Sequence, residues 1–368
     1  MRGGIPGATL GREMDTRDGA PVRVGLLGYG LAGSVFHGPL IGAAPGVSLD
    51  AIVTADPERQ ARAAREHPGA TVVAHAEDLW SIARALDLVV VATPNRFHVP
   101  VALAALDAGL AVVVDKPIAP SSDEAHRLLA AARERSLPLT VFQNRRWDGD
   151  FLTVRRLLEE GALGRVSRFE SRFERWVPTV DAGWRESAAP GEGGGVLFDL
   201  GPHLIDQALQ LFGPATSLYA EVDRRRAGAE VDDDSFVALT HTSGTRSHLW
   251  MSAVTAQPGP RMRVLGDRAG YTIFGIDGQE AALAGGARPG DPGFAEDPRE
   301  RWGLLGTEGD LRTVPTERGR YDTFYPAVAA ALRDGSPMPV DPADSVSVLE
   351  LIEAAHRSSA SGETIHLA

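Results

Sequence analysis

Cysteine is absent from the 368-residue sequence. Without it the chain can form no disulfide bond, no zinc site built on thiolates and no cysteine nucleophile. The absence is typical of proteins from a reducing compartment, so we expect a cytoplasmic location.

Long apolar runs and excess positive charge are absent as well. No stretch approaches the roughly 18 apolar residues in a row that a membrane-spanning helix needs. The 37 basic and 49 acidic residues give a formal net charge of −12. No basic stripe is interleaved with aromatic residues, so a nucleic-acid backbone would be repelled. We therefore expect neither a membrane nor a nucleic acid as a partner.

Lysine is nearly absent. Of the 37 basic residues 36 are arginine, and the single lysine is Lys116. Lysine differs from arginine in its compact ammonium group and its tunable pKa. Chance is an alternative that composition alone leaves open, so the neighbours of Lys116 must decide its role.

The length is typical of two domains, at about 100 to 200 residues each. Residues 1–20 are rich in Gly, Arg and Asp and lack the apolar core of a signal peptide, which predicts a disordered lead-in. Residues 21–146 alternate short apolar runs with helical patterns (57–66, 99–108 and 122–135), which predicts a doubly wound parallel sheet of the Rossmann type. The predicted strands are 22–27, 49–54, 71–73, 88–92, 111–114 and 139–142.

Residues 147–368 have a different order of predicted elements, in which strands follow one another without helices between most of them. Helices are predicted at 151–160, 203–212, 321–334 and 343–361, and a surface loop at 285–299. The predicted strands are 166–176, 217–224, 235–241, 247–253, 261–265 and 271–276. Their succession through turns indicates an α+β domain with a large, mainly antiparallel open sheet.

A glycine-rich turn follows the first strand. The segment Gly28-Tyr29-Gly30-Leu31-Ala32-Gly33 opens a helical stretch, and its glycines permit a tight turn, close approach to a pyrophosphate and tight helix packing. The helix N-terminus would also attract phosphate. A turn without ligand is the alternative.

The end of the second strand bears on the choice between NAD and NADP. NAD-specific sites place an acidic residue there, whereas this chain has Thr54, with Arg59 one helical turn further on. We expect these two residues to accept a 2′-phosphate, which favours NADP over NAD, and Asp56 to cap the helix that begins at Pro57. The alternative is that Arg59 is a solvated helix charge.

Two further motifs follow the fourth and fifth predicted strands. They are Thr93-Pro94-Asn95 with His98, and Asp115-Lys116-Pro117. Ligands bind at the carboxyl ends of parallel strands, so these residues and the glycine turn should converge on one crevice. Lys116 would then hold a substrate hydroxyl and stabilise its developing negative charge.

Asp199 and His203 are four residues apart at a helix start, after a run of three glycines. This spacing predicts that both side chains share one face, with His203 suited to taking a hydroxyl proton near neutral pH. Asp199 as a helix cap and His203 as a packed residue are the alternative. No other cluster has metal-ligand spacing, so no metal is expected.

Together these motifs resemble the Gfo/Idh/MocA oxidoreductase family, over roughly residues 22–368. The segments 143–148 and 321–325 resemble the branch of NADP-dependent scyllo-inositol dehydrogenases and related sugar or polyol dehydrogenases. The resemblance implies catalysis by Lys116, Asp199 and His203, a nicotinamide cofactor, and a homodimer or homotetramer. Asp115 stands where the family usually has Glu. The residues implied for the substrate pocket are Asn144, Arg145, Trp147, Arg175 and Trp184.

The function expected from the resemblance is reversible oxidation of a secondary alcohol on a cyclic polyol or sugar. Lys116 would hold the hydroxyl, His203 would remove its proton, Asp199 would orient His203, and the hydride would pass to nicotinamide. Two alternatives stay open: a sugar sensor or repressor that binds cofactor without turnover, and a glycosidase that uses the cofactor transiently.

Overall fold

The computed structural model describes residues 19–180 and 193–367. Most of the predicted lead-in, residues 1–18, lies outside the described residues. The described chain forms two sheets, one of six strands and one of nine. Within these described ranges, no helix has the length and apolar character needed to traverse a bilayer.

The six-stranded sheet is wholly parallel, with the order β3-β2-β1-β4-β5-β6. All six strands were predicted, and only their ends differ. The strands are β1 Val22–Leu27, β2 Val47–Val53, β3 Thr71–Val73, β4 Leu88–Val91, β5 Ala111–Asp115 and β6 Leu139–Phe142. β4 is buried throughout because helices cover both faces of a parallel sheet.

Helices and short turns connect these strands. The glycine turn leads into a π-helical segment, Ala32–His37, which continues directly into α1. The strand order reverses between β1 and β4, which places a ligand crevice outside their carboxyl ends. The helices are α1 Gly38–Ala43, α2 Pro57–Glu66, α3 Ala76–Ser81, α4 His98–Asp107 and α5 Ser122–Glu134.

The nine-stranded sheet has the order β14-β13-β12-β11-β7-β10-β9-β8-β15 and is antiparallel except between β7 and β10. The last three strands were not predicted, since β14 is mostly exposed and β15 has only two residues. The strands are β7 Val166–Glu174, β8 Ala215–Asp223, β9 Asp234–His241, β10 Arg246–Ser252, β11 Met262–Gly266, β12 Gly270–Ile273, β13 Gly303–Thr307, β14 Asp310–Val314 and β15 Ile365–His366.

The remaining helices of the described chain lie after β6 in the sequence. They are α6 Gly149–Glu159, α7 Val196–Phe212, α8 Gln279–Ala284, α9 Phe324–Asp334 and α10 Pro342–Ser361. The helix predicted at 203–212 begins earlier, at Val196, and contains Pro202 in its interior. α10 contacts both α7 and β8, which belong to the nine-stranded part, and α5 and β6, which belong to the parallel-sheet part.

Polar contacts reinforce the junction between the two sheets. Glu353 in α10 accepts hydrogen bonds from the backbone N and the hydroxyl of Ser122, at 2.8 and 2.7 Å. Arg146, which follows β6, donates to the buried Asp206 in α7 at 2.5 and 2.8 Å. These contacts fix the carboxyl ends of the parallel strands against α7.

The packing of Gly33 yields the first prediction. A Cβ at this position would lie 1.9 Å from the carbonyl oxygen of Gly28, which is backbone and cannot turn away. We expect Gly33→Ala to lower the free energy of unfolding by about 1–3 kcal/mol and to weaken nicotinamide-cofactor binding. Thermal unfolding and cofactor titration measure both effects. Gly42→Ala is the control, because its Cβ meets no atom within 4 Å; equal effects from both variants would contradict the prediction.

Candidate active site

Two cavities meet at the end of β5. One, of about 580 Å³, lies over the carboxyl ends of the parallel strands. The other, of about 610 Å³, lies between the two sheets. Five residues line both cavities, and they are Leu31, Ala32, Asp115, Lys116 and Asp199. The single lysine therefore lies at their junction.

The glycine turn shapes the first cavity. Gly28 has φ +99°, and a Cβ there would lie 2.3 Å from the carbonyl oxygen of Ala92. By contrast, a Cβ on Gly30 would meet only the Arg59 guanidinium, at 3.6 Å. The first and third glycines thus serve packing, while Gly30 leaves its backbone open to a ligand, which is the arrangement that a dinucleotide pyrophosphate needs.

Nearly all the residues predicted to hold the cofactor line this cavity. They are Gly28, Tyr29, Gly30, Leu31, Ala32, Thr54, Arg59, Thr93, Pro94, Asn95, His98, Asp115, Lys116 and Pro117. The remaining one, Gly33, packs behind the turn. The Thr93 hydroxyl is buried without a hydrogen-bond partner among the described residues. A polar group of a bound nicotinamide dinucleotide would supply that partner, so the residues present fit such a cofactor.

At the end of β2, Thr54 and Arg59 both line the cavity. Asp56 does not reach into it. Its carboxylate caps α2, as predicted, and accepts hydrogen bonds from the backbone N–H groups of Glu58 and Arg59 at 2.9 and 3.0 Å. The acidic residue nearest the strand end is therefore engaged elsewhere.

His98 joins two loops of the cofactor cavity. Its Nδ1 lies 2.8 Å from the carbonyl oxygen of Pro117, and its Nε2 lies 2.8 Å from that of Thr93. The ring is 1% exposed. His98 therefore fixes the loop after β4 against the loop that carries Lys116.

Lys116 contacts α7 of the other sheet. Its Nζ donates to the backbone oxygen of Asp199 at 2.6 Å and to the Asp199 carboxylate at 3.1 Å. The sequence predicts that Asp199 orients His203, whereas the carboxylate contact found in the structure is with Lys116. The helix brings Asp199 to the end of β5, and Asp199 positions the ammonium group there.

Asp115 stabilises the loop that carries Lys116. Its carboxylate accepts a hydrogen bond from the backbone N of Lys116 at 2.8 Å and lies 3.8 Å from the fully buried His37. Burial raises the pKa of Asp115, but His37, His98 and Lys116 outweigh it and hold the pKa below its usual value. The carboxylate therefore stays charged beside Lys116.

His203 is buried in the second cavity, and its Nδ1 has no partner among the described residues. Its ring packs edge-on against Phe173, at 6.0 Å between centroids. Arg145 and Arg261 lie over the Phe173 ring, at 5.4 and 4.1 Å from its centroid. Burial first, and then the positive charges of Lys116, Arg145 and Arg261, hold the pKa of His203 well below 6.5.

The predicted substrate-pocket residues divide into three groups. Asn144, Arg145 and Arg175 line the second cavity. Trp147 does not line it, which corrects the expectation: the indole packs edge-to-face on Phe324, at 5.5 Å between centroids, and borders a separate surface depression. Trp184 lies outside the described residues.

Arg145 is anchored before any ligand binds. Its Nη1 donates to the Tyr321 hydroxyl at 3.1 Å and lies 3.5 Å from Asp148, while its Nη2 donates to Glu280. Tyr321 in turn donates to Asp148 at 2.6 Å. Burial, with the added repulsion of Asp150 and Asp277, raises the pKa of Asp148 well above its usual value despite Arg145.

One wall of the second cavity was missed by sequence reasoning. This α8 wall, residues 276–284, runs from the end of the last predicted strand, 271–276, to the predicted loop at 285–299, and it carries no motif. Its cavity-lining members are Ile276, Asp277, Gly278, Glu280, Ala281 and Ala284. Only the fold brings it to the site. Within residues 19–180 and 193–367, no three His, Asp or Glu side chains are grouped to hold a metal ion.

The parallel sheet with its glycine turn, joined to an α/β part that completes a second cavity, defines a nicotinamide-dependent oxidoreductase. Residues 22–143 match the model "Oxidoreductase family, NAD-binding Rossmann fold", and residues 155–367 match "Oxidoreductase family, C-terminal alpha/beta domain". The chain belongs to this Gfo/Idh/MocA oxidoreductase family, as its motifs predicted.

Similar proteins extend over almost the whole chain. The scyllo-inositol 2-dehydrogenase (NADP(+)) IolW of Bacillus subtilis is 36% identical over 360 residues, which is 97% of each protein. The uncharacterized oxidoreductase YdgJ of Escherichia coli is 39% identical, over 94% of this chain and 99% of YdgJ. A solved structure of the oxidoreductase YvaA of Bacillus subtilis has a TM-score of 0.90 at 36% identity, covering 96% of this chain and all of YvaA.

The environment of His203 yields a prediction on pH. Because its pKa in the folded protein lies well below 6.5, the ring stays neutral at pH 6.5, where an unfolded histidine is about half protonated. Because the folded protein keeps the ring neutral, His203 adds to the free energy of unfolding in full above about pH 6.5. This contribution is lost as the pH falls from there towards the lowered pKa. NMR titration, with His203→Gln to assign the signal, measures this. Titration at or above pH 6.5 would contradict it.

Proposed function

We propose that this oxidoreductase oxidises and re-forms a secondary alcohol on a cyclic polyol, such as an inositol, or on a sugar. The observation that carries the proposal is the position of Lys116, whose ammonium lies where the two cavities meet, beside Asp199 and in the same cavity as His203. The dehydrogenase name and the cofactor of the similar protein IolW support it. The homo-oligomeric state and cytoplasmic location expected above remain part of this proposal.

Each of the three residues has a separate role. When bound, the nicotinamide cofactor accepts or supplies the hydride. Lys116 donates a hydrogen bond to the reacting oxygen and stabilises its negative charge, and Asp199 holds the ammonium in place. His203, neutral and buried, accepts the hydroxyl proton at Nε2, since its Nδ1 is enclosed. The alcohol thus loses one proton and one hydride and becomes a ketone.

Substitution of the two reacting groups tests these roles. We expect Lys116→Ala and His203→Ala each to lower kcat by about 100-fold or more, while the Kd for the cofactor changes far less because the glycine turn is untouched. Absorbance of reduced nicotinamide with a panel of inositols and aldoses gives kcat, and fluorescence titration gives Kd. Turnover near that of the wild type in either variant would refute the assignment.

The wild-type protein in the same assay separates the alternatives. Cofactor binding without turnover of any polyol or sugar, in either direction, would favour a sensor. Sugar released from a glycoside, without net cofactor reduction, would favour the glycosidase. Growth of the absorbance signal with an inositol supports the dehydrogenase.

We further propose that NADP is preferred over NAD. Thr54 and Arg59 line the cavity at the end of β2, and Asp56 is engaged as a helix cap. An exposed guanidinium beside Gly30 suits a 2′-phosphate, which it can bind through charge-assisted hydrogen bonds.

Arg59→Ala tests this preference. We expect the KM for NADP⁺ to rise about 10-fold or more, with the KM for NAD⁺ nearly unchanged, because only NADP⁺ carries the 2′-phosphate. Arg65→Ala is the matched control, since Arg65 is exposed on the same helix and does not line the cavity. Equal changes in the KM for NADP⁺ and for NAD⁺ in Arg59→Ala would show that Arg59 does not bind the 2′-phosphate.

A further inference from the structure

The carboxylates around the second cavity differ in how much of each is available to a ligand. Asp115 and Asp199 are engaged with Lys116. Both oxygens of Asp277 accept backbone hydrogen bonds, from Gly149 and Gln279 at 2.8 Å each. Glu174 accepts from the backbone N of Gly259 at 2.8 Å and is 10% exposed.

Glu280 is different. Its side chain is 41% exposed, against 17% for Asp115 and 20% for Asp199. Its contact within the described residues is with Nη2 of Arg145, whose side chain is only 10% exposed. The carboxylate thus lies at the cavity surface, with the guanidinium beneath it.

This pair is held firmly from both sides. Tyr321 and Asp148 fix Arg145, as described above. The residue next to Glu280, Gln279, is fully buried and donates from its side chain to the backbone oxygen of Trp147 at 3.1 Å. Its side-chain oxygen accepts from the backbone N of Tyr321 at 3.0 Å. Because its supports are locked, the pair is ordered before a ligand arrives.

The chemistry of the pair matches neighbouring hydroxyl groups on a ring. Each hydroxyl donates one hydrogen bond and can accept others. The Glu280 carboxylate is an acceptor only, and the Arg145 guanidinium is a donor only. The pair offers complementary partners to two adjacent hydroxyls, whereas a ketone could accept from Arg145 but could not donate to Glu280, and an apolar ring could do neither.

We propose that Glu280 and Arg145 form a subsite for a pair of adjacent substrate hydroxyls away from the carbon that is oxidised, with Glu280 as the residue that determines specificity. This inference rests on the proposed function and deepens it, because it names the part of the substrate that is recognised. Lys116 and His203 act on the reacting hydroxyl in the same cavity. Glu280 takes no part in proton or hydride transfer, and its contribution is to binding.

The test uses the whole enzyme with its preferred cofactor and compares wild type, Glu280→Gln and Glu280→Ala. Substrates are an inositol and the analogues of it that lack one hydroxyl away from the reacting carbon. Initial rates give KM and kcat for each combination, and thermal unfolding shows whether the variants fold.

We expect Glu280→Gln to raise the KM for the inositol about 10-fold to 100-fold, as loss of a hydrogen bond to a charged group does, with kcat within about 2-fold of wild type and the KM for cofactor unchanged. The wild type should discriminate strongly against one deoxy analogue, because a site built to bind a hydroxyl rejects the substrate without it. Glu280→Gln should lose most of that discrimination.

Glu317→Gln is the matched control. Glu317 is 42% exposed and is also paired with an arginine, Arg156, but it borders the separate depression near Trp147. It should leave every constant unchanged. If Glu280→Ala does not fold, Glu280→Gln still tests whether the carboxylate binds substrate, because it keeps the size of the side chain.

Two results would overturn the inference, and they differ from failure of the proposed function. Unchanged KM and unchanged discrimination in a folded Glu280→Gln enzyme would show that Glu280 does not bind substrate. An equal loss of kcat and of cofactor binding would show a structural role. If the wild type neither turns over nor is thermally stabilised by any inositol or sugar, the proposed function fails, and the inference fails with it.

Discussion

The contact between Lys116 and Asp199 is the interaction on which the rest of the site depends. It joins the end of β5 in the parallel sheet to α7 on the mixed sheet, at the place where the two cavities meet. Neither sheet alone holds the ammonium group, so its position is only as firm as the junction between the sheets. The packing of α10 on both halves and the buried pair of Arg146 with Asp206 serve that junction.

Electrostatic surroundings, rather than burial alone, distinguish the ionisable groups near this contact. Burial raises the pKa of both Asp115 and Asp148. Asp115 faces two histidines and Lys116, which outweigh burial and keep it charged. Asp148 faces Arg145 but also Asp150 and Asp277, and its pKa stays raised. Together with burial, Lys116, Arg145 and Arg261 lower the pKa of His203 and so keep this proposed base neutral. The same cations also form ion pairs with nearby carboxylates.

The sequence predicted what local patterns encode. Strands such as β1, the glycine turn, the cap at Asp56 and the position of Lys116 at a strand end follow from short-range periodicity and from the topology of parallel sheets. The partner of Asp199 did not follow, because spacing on a helix shows which side chains share a face but not which strand that face meets. The α8 wall and Arg261 lie far along the chain from β5, and only the completed fold brings the α8 wall to the cavity and Arg261 over the ring of Phe173. Trp147 shows that sequence proximity can also mislead. It is close in sequence to the cavity residue Arg145, but its side chain packs on Phe324 instead of lining the cavity.

The replacement of nearly every lysine by arginine has a chemical consequence. Guanidinium groups are poor nucleophiles, whereas an ammonium that loses its proton becomes an amine that attacks carbonyl compounds. Since Lys116 supplies the only side-chain amine of the chain and is 17% exposed at the junction of the cavities, imine formation between a side chain and an aldehyde is confined to this one position. Reducing sugars, which carry a masked aldehyde, meet that amine only where the proposed substrate lies.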